Sequence, residues 1–199
     1  MTAKIKLNAA SGGGSFSLQA PSSSSNNRVF TFPDIADDTI ATTATAGKFV
    51  SYAIICDQKA YDADGGTFTA NTVTTRDLNT EISDADGIVS IAGNEFTLQA
   101  GTYFIKASAP AFFVQRHVAW LHNETDGAVV QYGTAEYAEA INGHVGRSFI
   151  SARVTISGAK DFRIKHRGEL TKSTNGLGVK NNYSASNSIY TVVEIFKEV

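Results

Sequence analysis

Four histidines, two pairs of closely spaced aspartates and one amide-rich loop are the residues of this chain whose types and spacing could do chemistry. His117 and His122 stand five apart on one predicted strand, where side chains alternate between faces, so they point to opposite sides and do not chelate one ion. Asp62 with Asp64, and Asp84 with Asp86, are two apart beside glycines. That spacing can offer oxygens to a cation such as calcium, but aspartates capping turns explain it better. Gly12-Gly13-Gly14-Ser15 lacks the lysine and the preceding strand of a phosphate loop, and no Gly-x-Ser-x-Gly elbow occurs. Cys56 is the single cysteine, so no intrachain disulfide and no cysteine-based zinc site can form. These residues predict no enzyme, no metal and no cofactor.

Binding is better represented. Thr171 to Ser188 carries Asn175, Asn181, Asn182, exposed-type hydroxyls and Tyr183, a set suited to sugar recognition through hydrogen bonds and ring stacking. Arg163, Lys165 and Arg167 alternate along one predicted strand and would form a basic stripe able to meet acidic glycans. Loop solubility and a solvated strand face are the plainer explanations of each. A net charge of −2 gives no reason to expect nucleic acid or a membrane surface as partner, and no apolar run reaches the roughly 18 residues of a membrane span. Lys4 and Lys6 are not followed by an apolar core, so no signal peptide is expected and folding in a reducing cytoplasm is.

The elements that must position these residues are strands. Charged residues make up 18% and hydrophobic ones 42%, a balance fitting a packed, β-rich domain. Predicted strands are Phe49–Cys56, Phe96–Gln99, Tyr103–Ala107, His117–His122, Ala128–Gln131, Phe149–Ile156, Phe162–His166 and Tyr190–Phe196, with a short one near Gly66–Asn71 and turns rich in Gly, Asn and Asp between them. Glu136–Ile141 could make a helical turn or two. Phe149–Ile156 and Phe162–His166 read as a hairpin with one apolar and one polar face. Tyr103–Ala107 and Tyr190–Phe196 instead carry apolar side chains on both faces, which predicts a second covering layer supplied by another copy of the chain. Tyr103, Phe104, Ile105, Tyr190, Val192 and Phe196 are the candidate subunit-interface residues.

Ahead of this domain, Asn8 to Asn27 is uncharged with Phe16 and Leu18 as its large apolar residues, too few to offset ordering entropy, so a flexible spacer is expected. Ile5 and Leu7 before it, and Val29, Phe30 and Phe32 after it, alternate as strands would. With Phe16 and Leu18 they are the candidate anchoring residues of an arm over residues 1–33. Residues 34–47 read as a connector and 48–199 as the globular domain.

Gly101-Thr102-Tyr103-Phe104, Leu121-His122-Asn123 with Asp126-Gly127, the run from Ile156 through Gly158 and Asp161-Phe162-Arg163-Ile164, and the closing strand Tyr190–Phe196 resemble, in that order, the complement-head and tumour-necrosis-factor-like jelly roll. Lys106–Phe112, His117–Gly127, Gly133–Ala138 and Arg147–Ile156 look like the version found in bacteriophage tail proteins. The low-complexity leader followed by Val29–Asp34 resembles that of marine-phage virion proteins. The resemblance implies an all-β antiparallel sandwich that forms a homotrimer, sits on a virion assembled in a bacterial cytoplasm, and holds another virion protein through its arm. It implies a short tail-fibre or tail-tip attachment protein contacting host-surface carbohydrate, with trimeric capsid decoration as the alternative, since the chain has no collagen, heptad or β-helix stalk.

Overall fold

The computed structural model describes residues 4–8, 11–13, 15–19, 48–184 and 186–199. Two compact units divide the chain, Met1–Ala41 and Thr42–Val199. In the first, β1 (Lys4–Asn8) and β2 (Ser15–Gln19) form an antiparallel hairpin whose register sets Ile5 opposite Leu18 and Leu7 opposite Phe16. The turn uses Gly12 and Gly13 at φ of 86° and 69°, values that glycine adopts without a Cβ penalty. The expected flexible spacer is thus in part paired: its Ser15–Gln19 segment is the second strand of this hairpin. Val29, Phe30 and Phe32, and the connector 34–47, lie outside the described residues.

The second unit is built from β3 (Phe49–Lys59), β4 (Thr74–Thr75), β5 (Thr80–Ser83), β6 (Val89–Ala92), β7 (Glu95–Leu98), β8 (Gly101–Phe112), β9 (Gln115–Asn123), β10 (Ala128–Tyr132), β11 (Glu136–Ala138), β12 (Val145–Ile156), β13 (Lys160–Gly168) and β14 (Ser188–Glu198). One sheet runs β12-β8-β14-β3-β5; the other runs β10-β9-β13-β7-β6, with β11 added on β9 and β4 on β13. From β7 onward the long strands alternate between the sheets, β7 to β8 to β9 and then β12 to β13 to β14, which is the winding of a jelly roll. The fold is an all-β antiparallel sandwich, as the alternation in the sequence predicts.

Two-residue periodicity decides which side chains fill the space between the sheets. On β8, Tyr103, Ile105, Ala107 and Ala109 are buried in the core; on β13, Phe162 and Ile164 face them with Phe96, Leu98 and Leu121. The Phe96 and Phe162 rings stack at 5.6 Å. Each large side chain fully buried here contributes about 1.5–3 kcal/mol.

Three expectations are corrected. First, β12 and β13 do not pair as a hairpin: β12 pairs β8, whereas β13 pairs β9, β7 and β4. The Ser157-Gly158-Ala159 link crosses between the sheets, so that Ile150, Ala152 and Val154 can face Phe162 and Ile164 across one core. Second, Glu136–Ala138 is a strand paired to Gln115–His117, not a helical turn. Third, Tyr103 and Ile105 are wholly buried inside the subunit's own sandwich, as is Tyr190 at 3% exposure, and none of the three reaches an outer surface. Parity alone would put Tyr190 on the outer face with Val192 and Phe196. A bulge between Ile189 and Val192 inserts one extra residue and turns it inward, where its hydroxyl donates to the Ala63 carbonyl at 2.6 Å.

Candidate functional site

Cross-strand register builds the outer face of the five-stranded sheet row by row. Tyr52 on β3 lies opposite Phe196 on β14, Phe196 opposite Phe104 on β8, and Phe104 opposite Arg153 on β12. Two rows on, Cys56, Val192, Ser108 and Phe149 line up in the same way. Phe49 closes over the first row, its ring centroid 5.4 Å from Phe196 and 6.3 Å from Phe104, with Phe104 and Phe196 at 6.4 Å. Tyr52 and Phe149 remain 53% and 55% exposed. Between the rows Lys106 and Glu194 pair at 3.7 Å, and Arg153 holds Glu198 by two bonds of 2.8 Å at one side. A depression of about 160 Å³ opens among Lys106, Ser108, Phe149 and Val192.

The outer face of the other sheet is more heavily ion-paired, although Trp120 and Tyr132 also meet on it at 5.7 Å with Tyr132 exposed. Arg163 on β13 pairs with Glu95, and Lys165 with Glu124 at 2.8 Å, while His122 also bonds Glu124. A sheet face that meets solvent carries such polar residues. Of the six residues the sequence assigns to a subunit interface, Phe104, Val192 and Phe196 share the outer face of the five-stranded sheet, and Tyr103, Ile105 and Tyr190 do not.

A buried polar cluster was not legible as a site in the sequence. Arg76, fully buried, donates from Nε to Thr191 Oγ1 at 2.7 Å, and from its two terminal nitrogens to the Leu177 carbonyl at 2.6 Å and the Pro110 carbonyl at 3.2 Å. Desolvation pushes its pKa down to about 10, against the pull of Asp57 and Asp77. Nearby, His117 Nδ1 and His166 Nε2 share a hydrogen bond of 3.0 Å, and the Phe68 ring meets His166 edge-on at 5.0 Å. The local signal was in the glycines: a Cβ at Gly146 would stand 2.7 Å from His117 Nε2, so the histidine occupies space a side chain would take. Among the described residues no group of three His, Cys, Asp or Glu could hold a metal ion. The cluster is buried, with His117 3% exposed at the base of a cleft beside β11, and Arg76 ties it to β13 through the Ile164 carbonyl and to β14 through Thr191.

The predicted sugar-binding loop is two structures in one. Its first half is a packed strap: Phe68 and Lys172 exchange backbone bonds of 2.9 Å, Leu177 is buried, and Gly176 leaves no room for a Cβ against Phe68. In the second half the Asn181 amide donates to the Ser186 and Asn187 carbonyls while its oxygen accepts from the Tyr183 N–H and the Ser186 hydroxyl. Asn181 is thus committed to its own loop. Asn175 is half-buried; Asn182 and Tyr183, the latter 80% exposed, stand free at the surface.

No family model matches the sequence, and no curated protein matches it. Among solved structures, the crystal structure of murine APRIL at pH 8.0 is similar to 74% of this chain over 98% of its own, at 10% identity and a TM-score of 0.46. The globular domain of the zebrafish complement 1qA protein is similar to 75% of this chain over 96% of its own, at 16% identity and a TM-score of 0.40.

Proposed function

We propose that the chain is a virion structural protein that trimerises through the outer face of its five-stranded sheet and attaches the particle to a host-surface glycan. The observation that carries the reading is the aromatic cluster Phe49, Phe104 and Phe196, with Tyr52 and Phe149 exposed beside it, on a sheet whose opposite face already fills the core. Water is a poor partner for such a surface, and sister copies of the same surface are good ones. Three copies follow from the jelly-roll resemblance of the sequence, and the virion setting follows from the resemblance of its leader and of Lys106–Phe112 and His117–Gly127 to phage proteins. The arm would bind a second virion protein. Adhesion would be multivalent: several weak sites per trimer, and many trimers per particle, raise avidity without one tight contact.

Sedimentation of the full chain tests the assembly, with three copies expected at micromolar concentration and a stable single copy overturning it. Imaging of particles with a label on the arm tests the placement. Label at a tail tip supports attachment; label over the whole shell in hundreds of copies replaces attachment by capsid decoration.

A further inference from the structure

We propose that a cleft on the outward face of the seven-stranded sheet binds a carboxylate-bearing sugar unit, an inference that rests on the glycan-attachment reading and gives it a location away from the loop. Register assembles the cleft. Tyr137 on β11 lies opposite Arg116 on β9, and Arg167 on β13 lies opposite Val118 on β9. Arg116 and Val118 are two apart, so all four residues share one face. Together with Asn71 and Glu169 they line a cleft of about 510 Å³, within the size range of small-ligand sites and large enough for one or two sugar rings.

The lining sets Arg116 and Arg167 against Glu136 and Glu169. Glu136 lies opposite His117 in register, on the other parity from Arg116 and Tyr137, so the two arginines and Glu169 set the charge of the cleft's outer face. Arg116 is already engaged, its guanidinium 2.9 Å from Glu169 and its backbone N–H bonded to the same carboxylate. Along the basic stripe, Arg163 and Lys165 are held by Glu95 and Glu124. Arg167 is exposed and has no salt-bridge partner among the described residues. It leaves a planar fork of donors open to a carboxylate. Tyr137, 50% exposed, offers a ring against which the C–H face of a sugar can lie, with its hydroxyl free for a hydrogen bond. Asn71, held at φ 57° with its N–H bonded to the Gly168 carbonyl at 2.8 Å, brings an amide to the rim. Val118 and the Gly168 backbone floor the cleft; a Cβ on Gly168 would point inward and press on Phe68 at 3.0 Å. A neutral sugar would leave Arg167 unmatched, and a small anion would leave Tyr137 unused. The cleft belongs to the sheet that does not carry the aromatic cluster, so trimerisation leaves it facing outward.

The test is a titration of the full chain with D-glucuronate and N-acetylneuraminate, beside D-glucose and acetate, read by ligand-observed NMR. Binding of either acidic sugar at least tenfold tighter than glucose or acetate is expected, weakening with added salt. Arg167→Gln should weaken it about tenfold and Tyr137→Ala several-fold, while Tyr183→Ala leaves it unchanged. Failure of both acidic sugars to bind the folded protein, or wild-type affinity in Arg167→Gln and Tyr137→Ala, overturns the cleft. Adhesion to host cells separates the two ideas. Adhesion kept by the cleft variants but lost in Tyr183→Ala overturns the cleft alone. No adhesion by the wild-type trimer overturns the attachment reading.

Discussion

His117 and His166, 49 positions apart in sequence, meet through ring nitrogens 3.0 Å apart in a site where His117 is 3% exposed and His166 fully buried. One of the two nitrogens must donate and the other accept, so the bond requires at least one neutral ring. Burial lowers the His117 pKa to about 4, with Glu136 opposing and Arg76 assisting; burial, Arg76 and His117 hold His166 well below its ordinary value.

Stability should therefore fall on mild acidification. Unfolded histidines take up protons near pH 6.5, and the folded pair resists doing so. The stabilisation is complete above about pH 6.5 and is lost as pH falls from there toward 4. His117 alone accounts for about 3 kcal/mol over that window, and His166 acts in the same direction. Asp126, Glu169 and Glu198, held below their ordinary values by Lys160, Arg116 and Arg153, titrate in a lower window and add their loss there. Urea unfolding at intervals between pH 7 and 4 should show the slope. A flat profile above pH 5 would contradict the buried neutral pair.

Arg76 should tolerate neither removal nor its nominal equivalent. Arg76→Met leaves the Thr191 hydroxyl and the Leu177 and Pro110 carbonyls without the donors that now reach them, at a cost of about 3 kcal/mol after relief of the buried charge. Arg76→Lys offers a point charge that cannot span three acceptors in fixed directions, so it should recover less than half of that. Denaturant midpoints of the three proteins measure it, and equal midpoints for Lys and Arg would refute the role of the fork.

Where alternation ran unbroken, the fold was legible in the sequence. Ile150, Ala152 and Val154 face inward on β12, and Phe162 and Ile164 do so on β13, in the phase read from the sequence, because no bulge interrupts either strand between those residues. Tyr190 was misphased because the bulge in β14 leaves no mark in residue types. β4, β5 and β6 span 2, 4 and 4 residues, too short for a period to show. Parity also could not say whether an apolar residue on a two-sided strand faces the core or a neighbour: Ile105 and Phe104 are adjacent and do opposite things. The Arg76 cluster is a tertiary product of residues from separate strands, with polar side chains that a sequence reading assigns to the surface.

Gly178 should accept no side chain. A Cβ there would stand 2.1 Å from Cδ1 of Tyr190, and its φ of 145° disfavours any L-residue. Tyr190 cannot retreat without losing its bond to the Ala63 carbonyl. Gly178→Ala should cost about 3 kcal/mol through overpacking and backbone strain, whereas Tyr190→Phe, which loses one hydrogen bond, should cost about 1 kcal/mol. Thermal unfolding of both variants decides it; a reversed order would mean that the strap yields and the ring does not.

The aromatic face makes the last prediction. Phe104 and Phe196 are partly buried on the outer side of strands whose inner sides are core, so a carboxylate at either position can reach water in a single copy and does not disturb the sandwich. In an assembly it would be sealed against a sister's aromatic rings, where an unpaired charge is poorly tolerated. Phe104→Asp and Phe196→Asp should each weaken every subunit contact by about 2–4 kcal/mol, enough to convert the trimer to single copies at micromolar concentration, with the β-sheet circular dichroism retained. Val129→Asp, on β10 of the other sheet and 41% exposed, should change neither assembly nor fold. Sedimentation velocity on the four proteins reads the outcome. Trimers persisting in both phenylalanine variants would move the interface away from this face.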